Sequence, residues 1–556
     1  MSGPTIPLES IGARIWRRDT GLWTDDPDAA KEISERLGWL DLPESMRPYV
    51  SDVHQFAREV RDDGIERVLV CGMGGSSLCV EVLAAVLGPD PSGARRGHGH
   101  ERAREHALPV RVLDSTHPDA VAAAAAWATP GRSLYVISSK SGTTTEPNDF
   151  AAYFEALATA ALGDGAGLHF AAITDPGTPL VQHAQEFGYR GVFENPPDIG
   201  GRYSALSLFG LVPAALLGID LDALLEQARE MALECGPQAG DDANPGVVLG
   251  RFMAENALAG RDKVTVLTAP RLESFGLWVE QLLAESTGKQ GKGLLPVVGE
   301  PSHPVEAFGE DRAVIGIDFE GVPALGASEL KADEFPTMFL GVSEGIELGA
   351  EFFRWEFATA VAGHLLGINA FDQPDVQAAK DATKRVLRQL SRGGQLPEPE
   401  VVVREDGDVR AAAELVGEVL DDAGPGRYLA VMAYVDPTPG SEEPLGAARR
   451  DLRDGTRAAT TLGFGPRFLH STGQYHKGGP NTGRFIQLVD VAAGGPDVPG
   501  RDYSFGTLIK AQAAGDAEAL EDAGRRLVRI GLDGPRALQL FASAVATATG
   551  RATQAR

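Results

Sequence analysis

RVLVCGMGGSSLCVEVLAAVLG, residues 67–88, runs from an apolar, β-branched stretch through a glycine turn into a helical pattern. A short continuous apolar run before a helix is the mark of a strand buried on both faces of a parallel sheet. The pattern repeats outward. VRVLD (110–114), SLYVISS (133–139) and HFAAIT (169–174) read as strands, with helices DAVAAAAAWA and NDFAAYFEALATAAL between them. A second series opens near Asn244, with strands KVTVLTAP, AVIGIDF and TMFLGV and helices FGLWVEQLLAES and EFFRWEFATAVAGHLLG. Such alternation predicts α/β architecture with two successive doubly wound parallel sheets. RQLSRGGQLPEPE (388–400) reads as a linker, and VVV, YLAVMAYV and RFIQLV as strands of a C-terminal α/β portion. The expected divisions are a helical, Trp-anchored brace at 1–45, a first α/β domain at 46–240, a second at 241–394 and the C-terminal region at 395–556.

Composition narrows the partners. A chain of 556 residues exceeds what one core sustains. A formal charge of −27 argues against nucleic acid and anionic membrane, both of which are bound through basic surface. No apolar run reaches the ~18 residues of a membrane span, and LSLFGLVPAALLGI (206–219) reads as a buried helix. MSGPTIPLES carries neither the basic nor the apolar region of a signal peptide, so a cytoplasmic location is expected. Cys71, Cys79 and Cys235 lack metal-ligand spacing. GARRGHGHERAREH (93–106) gathers His and Arg without helical His pairing or thiolates, and a solvated loop is the better reading than a metal site. No metal is expected.

Two loops suit an anion. Gly72, Gly74, Gly75 and Ser76 lie between a strand and a helix, where glycine admits close backbone approach and the helix start offers free N–H groups. Ser77 stands where a dinucleotide fingerprint needs its third glycine, so no NAD cofactor is expected. SSKSGTTTEP (138–147) places Ser138, Ser139, Ser141, Thr143, Thr144 and Thr145 in eight positions before a helix. Helix capping accounts for one or two of these hydroxyls. A phosphate monoester, whose oxygens each need several donors, accounts for all six. With no Walker motif, a bound sugar phosphate is favoured over a nucleoside triphosphate.

Further along, Gln281 and Glu285 in GLWVEQLLAESTGKQGKG share one helix face. Glu285 is a candidate general base, or else a surface carboxylate paired with Lys289 or Lys292. Arg202 in GGRYSALS is placed to stabilise an oxyanion, though a surface Arg has the same spacing. Gln373 and Lys380 fall on one face if NAFDQPDVQAAK is helical, and HSTGQYHKGG (470–479) offers His470, His476 and Lys477 in a polar loop.

Taken together, GMGGSS, SSKSGTTTEP, GGRYSALS, ESTGK and INAFDQPDVQAAK resemble, in order, the motifs of the phosphoglucose isomerase family. The resemblance spans about Val68 to Lys380. It implies two sugar-isomerase (SIS) domains and reversible conversion of glucose 6-phosphate to fructose 6-phosphate through a cis-enediolate, without a cofactor. Carried over by position, Ser139, Lys140, Ser141 and Thr144 would bind phosphate, with Gly75 and Ser76 beside the sugar. Glu285 would be the base, Arg202 would stabilise the enediolate, Lys380 would assist ring opening, and Gln281 and Gln373 would line the site. The family's ring-opening histidine precedes its lysine in an I-H-Q-G-T segment. Here YHKGG, after Lys380, resembles it, which assigns His476, with His470 in reserve. LHSTGQYHKGGPNTG is similar to text in the isomerase half of transaldolase–isomerase fusions, though no transaldolase barrel precedes it. The family's dimers make a homodimer the expected assembly. Alternatives left standing are a dual phosphoglucose/phosphomannose isomerase and a non-catalytic sugar-phosphate sensor. An amidotransferase-type aminosugar synthase would need a cysteine where Ser2 stands.

Overall fold

The computed structural model describes residues 10–89, 107–301, 307–326 and 335–554. Three parallel sheets organise them. The first contains β1 (Arg67–Gly72), β2 (Val110–Leu113), β3 (Ser133–Ser138), β4 (Phe170–Thr174) and β5 (Gly191–Glu194), in the order β2-β1-β3-β4-β5. The second contains β6 (Lys263–Thr268), β7 (Leu295–Val298), β8 (Arg312–Phe319) and β9 (Thr337–Val342), ordered β7-β6-β8-β9. The third contains β10 (Val401–Val403), β11 (Tyr428–Tyr434), β12 (Ala459–Phe464), β13 (Gly483–Asp490) and β14 (Arg526–Leu532), ordered β10-β14-β13-β11-β12. Read from β12, the third sheet repeats the winding of the other two, with β10 added beyond β14. Sandwiched strands lose both faces to helices, which is why β1, β3 and β4 read as unbroken apolar runs and are buried almost throughout.

Two helices bind the first two sheets into one core. Helix Glu273–Thr287 is buried from Trp278 onward, and helix Leu348–Leu366 is buried on nearly all sides. The stretch at 206–219 forms helix Leu208–Leu216, every residue of which is buried. The N-terminal segment lies across this core. The Trp16 indole donates to the Cys235 carbonyl at 2.7 Å and that of Trp23 to the Ala360 carbonyl at 2.9 Å. The Trp39 ring stacks on Tyr203, centroids 5.5 Å apart, beside Arg202. All three cysteines are free and buried, and burial pushes the Cys79 and Cys235 thiols up to about 12. Among the described residues, no helix is long and apolar enough to cross a membrane. The segment 93–106 lies outside the described residues.

The third sheet docks on both others through polar contacts, part-buried at the first sheet and buried at the second. Arg467 pairs with Asp114 at 2.7 Å and with Glu81 at 2.9 Å. At the seam with the second sheet, Arg312 and Glu300 form an ion pair at 2.6 Å, and Glu300 also accepts from Thr460 on β12. Burial alone would raise the Glu300 carboxyl, but Arg312, then Arg449 and Thr460, outweigh it and hold the group at about 2. A folded-state value depressed from 4.5 contributes stability that is complete above the unfolded value and is lost as pH falls through the folded one. The shift corresponds to roughly 3 kcal/mol. Urea midpoints should therefore decline between about pH 5 and pH 2, and Glu300→Gln should flatten that decline while lowering the midpoint at pH 7. An unchanged acid limb in the variant would remove this pair from the account of acid stability.

Candidate active site

The glycine turn after β1 is held by close contact. A Cβ on Gly75 would collide with the Gly201 carbonyl, and one on Gly74, whose φ is 55°, would lie 2.6 Å from the Gln281 amide and 3.1 Å from the His470 Cβ. Glycine is required at both, and the turn thereby brings together the Arg202 segment, helix Glu273–Thr287 and the third sheet. Ser76 is buried beside it.

The hydroxyl-rich loop precedes helix Thr145–Leu162, whose N-cap, Thr144, makes no side-chain capping bond. Ser139 Oγ reaches Thr144 Oγ1 at 3.3 Å, and Ser141 Oγ lies 2.9 Å from Thr143 Oγ1. Among the described residues, the N–H groups of Lys140, Ser141, Thr144 and Thr145 have no acceptor. Unpaired N–H groups and hydroxyls at the positive end of a helix dipole make an anion cradle. The Lys140 ammonium points elsewhere, onto Asp175 and the Pro197 carbonyl. That leaves its backbone N–H for a ligand.

Arg202 is nearly fully buried, and its fork is fixed from four sides. Nε donates to Ser286 Oγ at 2.7 Å, Nη1 to Gln373 Oε1 at 2.7 Å, and Nη2 to the carbonyls of Ala370 at 2.7 Å and Asp372 at 3.0 Å. Its Nη1 lies 3.7 Å from Glu285 Oε1, and the other Glu285 oxygen accepts from Gln281 Nε2 at 3.2 Å. Gln281 also donates to the His470 carbonyl at 2.8 Å, so the third region folds back over the site within one chain. The surface-pair reading of Glu285 fails: it is buried, Lys289 donates to Asp372 at 2.6 Å and Lys292 to the Leu366 carbonyl at 3.0 Å. Burial, then the nearby Arg202 charge, brings Lys289 down to about 8 against the opposing pull of Asp372.

His476, assigned by the resemblance, is held within the third sheet's own packing. Helix Gly473–Gly478 turns it into the aromatic cluster of the third sheet, with Nδ1 3.0 Å from the Tyr428 hydroxyl and the ring 5.1 Å from Phe485. Burial first, then Lys477 and Arg525, drive its basicity well below the ordinary range. His470 is the histidine packed against the glycine turn. Its Nε2 lies 3.6 Å from Glu146 Oε1, and the same oxygen accepts from Gln512 Nε2 at 2.7 Å. Burial would raise the Glu146 carboxyl, but His470 outweighs it, and Lys380 on helix Pro374–Leu390 adds a smaller cationic pull, so the group lies below the ordinary range. Sequence reasoning missed Glu146 and Lys289. Glu146 stood inside the quoted loop as an unremarked helix-start acid, and Lys289 inside ESTGK as a surface partner.

One basin thus gathers Gly74, Gly75, Arg202, Gln281, Glu285, Gln373 and His470. A glucose-6-phosphate isomerase of Rubrobacter xylanophilus is 31% identical over 427 residues, covering 68% of this chain and 92% of that protein. The family model for phosphoglucose isomerase matches residues 36–306. The chain belongs to the phosphoglucose isomerase family. A further member, the glucose-6-phosphate isomerase of Clostridium novyi, is 28% identical over 425 residues, covering 67% of this chain and 89% of its own. Among solved structures, a hypothetical protein from Thermus thermophilus superposes with a TM-score of 0.54 at 25% identity, covering 67% of this chain and 93% of that one. The two SIS-type sheets and the motif residues of the phosphoglucose isomerase family therefore stand on a chain that carries a third parallel sheet.

Proposed function

We propose that this chain interconverts glucose 6-phosphate and fructose 6-phosphate by proton transfer through a cis-enediolate. One observation carries the reading: a buried carboxylate, Glu285, is set between the Gln281 amide and the Arg202 guanidinium. The hydroxyl-rich loop would hold the phosphate and so fix C1 and C2 against Glu285. His470, held by Glu146 and aided by Lys380, would protonate the ring oxygen as the pyranose opens. Glu285 takes the C2 proton, the electron pair moves to the C1 carbonyl oxygen, and Arg202 stabilises the negative enediolate. The O2 hydroxyl proton passes to O1, Glu285 returns its proton to C1, and re-formation of the carbonyl at C2 gives the ketose. The same residues serve the reverse direction. A homodimer in the cytoplasm completes the reading, and sedimentation equilibrium reads the former.

The test is a coupled assay on purified protein with fructose 6-phosphate, then mannose 6-phosphate. Turnover of the first supports the reading, and binding without turnover would make the chain a sensor. His470→Asn should lower kcat on the cyclic substrate by ~10²-fold or more, the usual worth of general acid–base help. His476→Asn should instead lower the melting temperature and leave kcat per folded molecule near wild type. Reversed outcomes would return the ring-opening role to His476.

A further inference from the structure

In an open parallel sheet, ligands gather outside the carboxyl ends of the strands where the winding reverses. In the first sheet that point lies between β1 and β3, whose following loops are the two anion loops. In the third sheet it lies between β11 and β13. Asp436 follows β11 and Asp490 ends β13. Into the same crevice the first sheet sends His117, which is 2% exposed and caps helix Pro118–Trp127.

The imidazole is oriented at both nitrogens. Nε2 lies 3.1 Å from Asp490 Oδ2, and Nδ1 is 3.3 Å from the Asp119 backbone N–H. With the proton on Nε2 toward Asp490, the single Nδ1 lone pair accepts the long 3.3 Å bond from the Asp119 N–H, which an ion bound at Nδ1 would replace. Ligand atoms of His117, Asp119 and Asp436 all lie within 4.8 Å of one another, the span of groups sharing one ion at about 2.0–2.4 Å each. Among the described residues, no Lys or Arg pairs with Asp119, Asp436 or Asp490. Three carboxylates thus converge on one buried imidazole, with an orienting carboxylate on its far nitrogen as in known metal sites.

We propose that His117, Asp119 and Asp436 bind a divalent transition-metal cation, with Asp490 orienting His117. A mixed imidazole and carboxylate set suits Zn²⁺, Mn²⁺ or Co²⁺ better than the all-oxygen preference of Ca²⁺. The ion would fasten the loop after β2 to the third sheet. The preceding residue, Thr116, donates to Gln512 at 2.6 Å, and Gln512 holds Glu146 against His470. The ion would therefore brace the platform of the catalytic histidine without touching the sugar.

The test is a calorimetric titration of the chelator-treated, dialysed full-length protein with Zn²⁺, alongside thermal melting. One saturable equivalent with a raised melting temperature is expected. Asp436→Asn and His117→Gln should abolish it, and Asp490→Asn should weaken it by ~10–100-fold. Far-UV circular dichroism checks each fold, and Asp436→Asn alone decides the matter should His117→Gln fail to fold. His98 and His100 offer a competing source of affinity, so His98→Asn/His100→Asn is titrated too and should retain the equivalent. No saturable binding, or an equivalent that survives Asp436→Asn and disappears with His98 and His100, would overturn the proposal.

Discussion

Replacing Glu285 with Gln is expected to lower kcat by ~10²–10⁴-fold while affinity for a phosphate ester holds. The amide is close to isosteric with the carboxylate, so the packing of helix Glu273–Thr287 survives. It still accepts the 3.2 Å bond from Gln281. Arg202 loses only its 3.7 Å ionic neighbour and keeps four shorter contacts. What disappears is the group that takes and returns the proton. A loss confined to kcat, with an unchanged urea midpoint, separates a catalytic role from a structural one. Turnover near wild type would remove Glu285 from the mechanism.

Arg202→Lys should be nearly as damaging, by a different route. An ammonium cannot reproduce a planar fork that meets Ser286, Gln373 and two backbone carbonyls at once. Loss of one preorganised oxyanion donor typically lowers kcat by ~10²–10³-fold. Each buried acceptor left unpaired costs about 1–3 kcal/mol besides. Steady-state kinetics and urea unfolding on the same preparation should show both losses together, in contrast to Glu285→Gln. A variant with full stability and full turnover would mean that the fork neither builds the site nor acts in it.

The α/β alternation was legible because strands buried on both faces must be apolar. The strands that escaped notice break that rule for physical reasons. β5 is an edge strand, half-exposed, and its text GVFE is short. β12 is another edge, and β7 carries Pro296, which an edge strand tolerates. β14, RLVRIGL, is interrupted by arginines, yet Arg529 is buried and donates to Gln487 at 3.0 Å. Part of the expected linker at 388–400 is the end of helix Pro374–Leu390, which Arg388, Gln389 and Leu390 continue.

In the site, residues fixed by close backbone approach were readable, because only glycine serves at Gly74 and Gly75. Partner choice was not. Whether Glu285 meets Lys289 or Arg202 depends on where the chain after Ile368 returns, and spacing within one helix is silent on that. The two histidines of HSTGQYHKGG stand six residues apart in one polar loop, and local sequence gives both the same character. Their difference comes from distant elements: Glu146 waits for His470, while Tyr428 and Phe485 enclose His476. Lys140 shows the same effect, since Asp175 lies 35 positions away in sequence.

The most direct test is to supply purified wild type and Glu285→Gln with fructose 6-phosphate in a coupled assay that detects glucose 6-phosphate. Sustained aldose formation by wild type, reduced at least ~10²-fold in the variant, is the predicted result. Absence of aldose with wild type, or equal rates from the two proteins, would contradict it.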